Sequence, residues 1–422
     1  FSMCDTMVSR NAGAPSFFAK NSDRDPGEPQ LIQYVDGNEG VPMPTHPEHR
    51  KTYDRIQYRR MQQASASLPN PLRAIISRPA WMWGAEMGVN EAGVAIGNEA
   101  VFAKSRTAKD GLLGMDILRL ALHNARTAAD AVEVIGRLLE TYGQGGNGSY
   151  AGTLRYHNSF LIADASDAWI LESAANHWAA KAVETVGTIS NAYTIGTQYA
   201  KGDEVTMSRR PDFARTHASR LHVMFTKGTY RQQTTEHMLK GHNASWDAMR
   251  STLRHQEGDE ASPDRTMKSI CMDAIGFIKS RTSASMIVEY HEGMPLVWMT
   301  GSPIPRHSPF LPFAIDAESF DIAPHADLRF AYRFATERIA LDNQIQAAPV
   351  AARQQIADLA RSIEDRCRAM VLESRQEERP TACVACLAEE QGFREHVHAI
   401  LVDFGADSSS LHEKPDAYYR CG

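Results

Sequence analysis

Two short stretches near the start of the chain hold most of its candidate chemistry: Cys4-Asp5-Thr6-Met7 and Phe17-Phe18-Ala19-Lys20-Asn21-Ser22-Asp23-Arg24. A cysteine thiol becomes a strong nucleophile once a base takes its proton. Were Cys4 the first residue, its own α-amine, with an ordinary pKa of about 7.7–8.0, could accept that proton near neutral pH, where a lysine cannot. Thiol and base would then share one residue, and no distant histidine is required. Lys20 and Asp23 lie where a returning strand could hold that amine and set its protonation. Taken alone, Cys4 reads more simply as a small buried hydrophobe; the rest of the chain reverses that preference.

Asn98 ends a run, Val94-Ala95-Ile96-Gly97, that reads as a strand, and a carboxamide at a strand end facing a cleft can donate to an oxyanion, although a local turn cap is the plainer reading. Asn191 closes a second strand in the same way. Trp81 and Trp83 read most simply as core or pocket wall, while Trp83 and Glu86, in Trp83-Gly84-Ala85-Glu86, are candidates to shape the substrate mouth. Arg215, with Arg209 and Arg210, could bind a substrate carboxylate bidentately, against the simpler reading of a solvated loop. His157 and His177 fall on expected strands as structural histidines. His46 and His49 lack further ligands nearby, and Cys383-Val384-Ala385-Cys386, with His396 and His398 after it, offers one cysteine pair on a helical background. A metal pair is a possible reading of each, but a solvated loop and reduced structural thiols are the favoured ones, and no metal or organic cofactor is expected. Tyr142-Gly143-Gln144-Gly145-Gly146-Asn147-Gly148 is glycine-rich but lacks the Gly-Lys-Ser/Thr ending of a phosphate loop.

The net charge of -6 gives no reason to expect nucleic acid or an anionic membrane as partner. No apolar run approaches the roughly 18–20 residues that span a bilayer, and no basic-then-apolar leader opens the chain. Six cysteines in 422 residues are too few for a disulfide framework. A reducing, cytoplasmic setting follows as the expectation, and the sequons at Asn147 and Asn243 carry little weight in it.

Hairpin chemistry at Asn11-Ala12-Gly13-Ala14-Pro15 joins strands at 4–8 and 16–19, and residues 36–70 read as an irregular excursion. Strands are expected at 72–77, 81–87 and 94–98. Two helices follow, the second capped by Thr127 with Asp130 three residues on. A meander spans 158–191, strands at 284–290 and 296–300 close the β-rich part, and helices cover 327–346 and 350–378. Hairpins rather than strand–helix–strand crossovers make this an α+β chain of antiparallel sheets covered by helices. The expected division is a main domain over 1–315 and a helical C-terminal extension over 316–422.

The chain resembles the secernins and the bacterial cysteine dipeptidases related to them, which are N-terminal-nucleophile hydrolases. The resemblance rests on Cys4-Asp5-Thr6, Phe18-Ala19-Lys20-Asn21-Ser22-Asp23-Arg24, the run from Gly88 to Glu99, Tyr142 to Asn147, His157 to Asp164, Ala168 to Ser173, and Ile189 to Thr197, in order along the chain. It implies a four-layer αββα fold with two stacked antiparallel sheets. It also implies hydrolysis of a linear amide in a dipeptide or N-acyl amine, through a thioester on Cys4. By the same match Lys20 and Asp23 would position the α-amine and the scissile amide, Asn98 would donate to the oxyanion, and Asn191 would orient nucleophile and substrate. Animal secernins lack the acid at the Asp23 position, so the chain sides with the bacterial branch. It also carries Gly148 where secernins often have cysteine.

The expected partner is thus a small amide or dipeptide, with room for a homodimer through the C-terminal helices. Rival readings are an amidase for a non-peptide metabolite, and a non-catalytic scaffold of the kind some secernins are thought to be. The free-amine mechanism requires that Phe1-Ser2-Met3, an expression remnant or a short propeptide, be absent from the active form.

Overall fold

The computed structural model describes residues 3–11, 16–39, 55–68, 72–219, 225–240, 244–258, 265–275, 279–291, 294–301, 303–316 and 324–406. The His46 and His49 pair, the Asn243 sequon, Phe1-Ser2 and Cys421 lie outside them. Among the described residues the strands form two antiparallel sheets. The first is ordered β10 (Val186–Ile189), β1 (Met3–Ser9), β2 (Ser16–Arg24), β13 (Lys279–His291), β14 (Met294–Met299) and β15 (Leu311–Phe313), with β12 (Asp273–Ile275) beside β13. The second runs β11 (Lys201–Gly202), β9 (His177–Ala182), β8 (Ala168–Ala174), β7 (His157–Ala163), β6 (Ala95–Val101), β5 (Met87–Asn90), β4 (Ala74–Pro79) and β3 (Gln30–Val35).

β1 packs face to face on β6 and β7, so the sheets stack. Outside the second sheet lie α2 (Gly114–Asn124) and α3 (Ala128–Tyr142), the latter opened by the Thr127–Asp130 capping box. Outside the first lie α6 (Gly228–Lys240) and α7 (Trp246–Leu253); between them and α3 in sequence come α4 (Glu204–Arg209) and α5 (Phe213–His217). Helix, sheet, sheet, helix is the expected four-layer order. Both strands of the β1–β2 hairpin are buried almost throughout, as a strand covered on both faces must be.

The C-terminal helices α8 (Leu328–Ala347), α9 (Val350–Glu373), α10 (Arg379–Leu387) and α11 (Glu389–Asp403) pack on β3 and β15 and share one apolar cluster with the first sheet. Three expectations need correcting. Residues 55–66, read as part of an irregular loop, form helix α1 (Arg55–Ala66), which buries Met61 and Ala64 against the α2–α3 layer. Residues 81–86 form no strand: the Arg78 guanidinium draws in the carbonyls of Ala80 at 3.2 Å and Met82 at 2.5 Å, folding the chain over α2. β6 does not stop at Asn98, because Glu99, Ala100 and Val101 continue its pairing with Ser159, Asn158 and His157.

Candidate active site

Cys4 sits on β1 opposite Ser22 of β2, and its side chain points between the two sheets. The Asp23 N–H donates to the sulfur at 3.5 Å, and the thiol reaches Glu86 Oε2 at 3.9 Å. Lys20 lies near the same thiol, and its charge favours the thiolate. Its ammonium also donates to the Asn98 carbonyl at 2.7 Å and pairs with Glu99 Oε1 at 3.4 Å, and that oxygen accepts from Thr6 Oγ1 as well. Gly97 makes room for this lysine: a Cβ there would lie 2.6 Å from Lys20 Cδ. Beside Glu86, the Arg24 guanidinium holds Glu86 Oε1 at 2.9 Å and both oxygens of Glu28. Trp81 donates to Glu28 from its indole at 2.7 Å.

All these groups are excluded from water. Burial pushes the Cys4 thiol well above its ordinary range, with Lys20 pulling the other way. Burial also disfavours charge on Lys20, but Cys4, Glu99 and Glu86 outweigh it and hold the lysine above its usual value. Glu99 is raised by burial to about 8. The cluster thus sets a neutral thiol beside a firmly charged lysine, a setting in which a thiolate, once formed, has a cation nearby.

The nitrogen of Cys4 is held from another direction. Its N–H donates to Asn191 Oδ1 at 3.1 Å, and the Arg231 guanidinium donates to that same oxygen. Asn191 Nδ2 donates to the Ala100 carbonyl at 2.8 Å, which fixes the carboxamide's orientation. Arg231, fully buried on α6, also donates to Asp5 Oδ2 at 2.9 Å, to Ser190 Oγ at 3.0 Å and to the carbonyls of Thr226 and Met267. Asp23 accepts from Thr282 Oγ1 at 2.6 Å, and burial, with Asp5 close by, raises its carboxyl well above the ordinary range.

Cys4, Lys20, Asp23, Asn191 and Glu86 therefore come together. Asn98 contributes its carbonyl but not its carboxamide, which points the opposite way, toward Asn158 Oδ1 at 3.1 Å and Met115 of α2. Strand alternation explains this: Gly97 and Glu99 face β1, so Asn98 between them cannot. Trp83 is buried under the Arg119 guanidinium, 4.2 Å from its ring, with its carbonyl accepting from Arg119. It lies in the apolar core that includes α2. Arg215 stands apart, exposed on α5, its N–H taken by Asp212 and its carbonyl by Lys104. His157 is buried and pushed down to about 4 by burial, and His177 meets Asp203 at 3.1 Å on the far edge of the second sheet.

Glu99, Arg24, Arg231 and Asp5 escaped the sequence reading. Glu99 was within reach, since extending β6 past Asn98 turns it inward. Arg231 was not, lying in a polar helix 40 residues beyond the strand end it supports. Among the described residues no group of three or more His, Cys, Asp or Glu could hold a metal ion, and no helix is long and apolar enough to cross a membrane.

Penicillin V acylase from Agrobacterium tumefaciens is structurally similar at 14% identity, over 74% of this chain and 86% of its own, with a TM-score of 0.40. A mutant of the conjugated bile acid hydrolase from Clostridium perfringens is similar at 10% identity, over 70% and 88% of the two chains, at 0.38. The N-acylethanolamine-hydrolyzing acid amidase ortholog of Caenorhabditis elegans is similar at 10% identity, over 67% and 92%, at 0.34. Residues 79–222 match the model of Peptidase family C69.

Proposed function

We propose that the protein is a cysteine amidohydrolase whose nucleophile is Cys4, active when Cys4 is the first residue, on dipeptides or N-acyl amines. The observation that carries this reading is the double hold on one residue: sulfur faced by Lys20 and Glu86, nitrogen bonded to Asn191 Oδ1 at 3.1 Å. With Met3 attached, that nitrogen is an amide and cannot accept a proton. Freed, it is an amine already oriented by Asn191, with a pKa near 7.7–8.0 in ordinary surroundings, suited to take the thiol proton.

The thiolate attacks the scissile carbonyl to give a tetrahedral oxyanion. The Cys4 ammonium then returns its proton to the departing amine, the C–N bond breaks, and a thioester remains. Water, deprotonated by the same amine, hydrolyses the thioester and releases the acid. The Lys20 ammonium and the Asp23 N–H are the donors that face the sulfur, and they replace the Asn98 carboxamide as candidates to steady the negative charge. Losing one such donor typically lowers the rate by roughly 10²–10³.

A chain beginning at Cys4, tested beside the chain that retains Met3 and beside Cys4→Ala, decides the matter. Turnover of a dipeptide or N-acyl amine panel by the first alone is the expected result. Equal turnover by the Met3-retaining chain, confirmed intact by mass, would remove the free-amine base from the mechanism.

A further inference from the structure

Gly148 and Tyr156 share one space beside Arg24. A Cβ on residue 148 would lie 2.5 Å from the Tyr156 hydroxyl oxygen and 2.7 Å from Cζ, so the phenol fits there because residue 148 has no side chain. The Arg24 guanidinium ties this space to the nucleophile. Its Nη2 donates to the Gly148 carbonyl at 3.0 Å, its Nη1 holds Glu86 Oε1 at 2.9 Å, and Glu86 Oε2 reaches Cys4 Sγ at 3.9 Å. The hydroxyl is thus set among the charged groups around the sulfur. Burial, and then Glu86, hold it above its ordinary range, so it stays a donor and does not become a base. Its proton is directed at Met115 Sδ, 3.4 Å away. A thioether is a weak acceptor, and the same sulfur already takes the Asn98 Nδ2 proton at 3.5 Å.

We propose that the Tyr156 hydroxyl turns from Met115 to the oxyanion formed at Cys4, supplying the neutral donor that the Asn98 carboxamide, facing α2, does not. This rests on the reading of Cys4 as the nucleophile. Exchanging a thioether for an anionic oxygen strengthens the bond only as charge develops. That is the condition for lowering the barrier rather than tightening the hold on the ground state. Lys20 and the Asp23 N–H approach from β2, whereas Tyr156 comes from the residue before β7, on the side of the second sheet. A Tyr156 with a structural role alone would use its ring, which packs in the apolar cluster that includes α2. The two roles separate when the oxygen is removed and the ring is kept.

The test uses the chain that begins at Cys4, with alanyl-alanine and N-propionyl-alanine as substrates and the aldehydes of the same two acyl groups, alaninal and propanal, as inhibitors. Each aldehyde adds the thiol across its C=O bond, sulfur to carbon and proton to oxygen. The resulting thiohemiacetal places an oxygen where the oxyanion forms. Tyr156→Phe should lower kcat by roughly 10²-fold for whichever substrate the parent cleaves, the scale of one lost oxyanion donor, with KM within about threefold of the parent. The matching aldehyde should bind more weakly by a comparable factor. Should Tyr156→Phe fail to fold, judged by its melting transition, Gly148→Ala is read in the same way, because its Cβ must displace the hydroxyl and leaves the ring in place. Parent kcat in the folded variant, or a lower kcat with unchanged aldehyde affinity, overturns the proposal while leaving the Cys4 hydrolase intact. Absence of Cys4-dependent release from either substrate overturns both.

Discussion

Two of the places in which the molecule buries thiols differ sharply. Cys367 on α9 and Cys383 and Cys386 on α10 lie in the C-terminal layer, where Cys386 donates to the Cys367 carbonyl at 3.8 Å and touches Met370 Sδ at 3.8 Å. Cys4 lies between the sheets among Lys20, Glu86, Glu99 and Asp23. All four are shielded from water, and burial raises Cys4 and Cys383, the latter to about 12. Cys367 is also raised, first by its hydrogen bond to Cys386. Burial alone therefore does not distinguish a nucleophile from a core residue. What sets Cys4 apart, on the proposed reading of it as nucleophile, is a charged lysine near its thiol and a backbone nitrogen that a side-chain oxygen holds in place.

Removing the thiol from each place should sharpen that contrast most. Cys4→Ala should lower turnover by roughly 10⁵–10⁶, the scale on which loss of a nucleophile is felt, whereas Cys383→Ala should leave kcat/KM at the parent level. Comparable losses from the two would dissolve the distinction. Next comes Lys20→Met. Turnover should fall by roughly 10²–10⁴, and the acid limb of the kcat/KM profile should move to higher pH, because the cation that favours thiolate is gone. A lower rate with an unmoved profile would assign Lys20 to packing alone.

Glu99 provides a smaller effect with a definite sign. Its carboxyl titrates near 8 in the folded chain, against an ordinary value of 4.5, because burial penalises the ionised form. The folded state thus retains a proton that the unfolded chain releases. The stability this contributes is full below about 4.5 and is lost as pH rises through about 8. Glu99→Gln should flatten the decline in urea midpoint across that window. An undiminished slope in the variant would assign the decline to Asp23 or another buried acid.

How much of this could be read from the sequence depended on the range of the forces involved. The capping box at Thr127 and the antiparallel pairing of the neighbouring strands at 4–8 and 16–19 are local, and the structure has them where the pattern put them. The meeting of Cys4, Lys20 and Asp23 was legible because one hairpin carries all three. Asn98 was misjudged by a boundary: taken as a strand end it could turn toward a cleft, but pairing with β7 carries β6 three residues further and alternation points it at α2. The hold of Arg231 on Asn191 joins residues 40 apart through tertiary packing, and no local pattern announces it. Helix α1 was hidden by its polarity, since only Gln57, Met61 and Ala64 are buried along it.

The smallest expected effect tests whether the helical layer bears on the site at all. Helices α9 and α10 pack on β15, which is separated from β2 by β14 and β13 in the first sheet. Cys386→Ala removes a fully buried sulfur from contact with Cys367 and Met370, a small cavity of the kind that lowers stability by about 1 kcal/mol. The urea midpoint should fall accordingly with an unchanged slope, and kcat/KM should match the parent, because no charge near Cys4 has moved and two strands stand between. A loss of turnover without a change in midpoint would mean that the packing of these helices is transmitted through β13 to Asp23. The carrier would be the Thr282 hydroxyl that donates to Asp23.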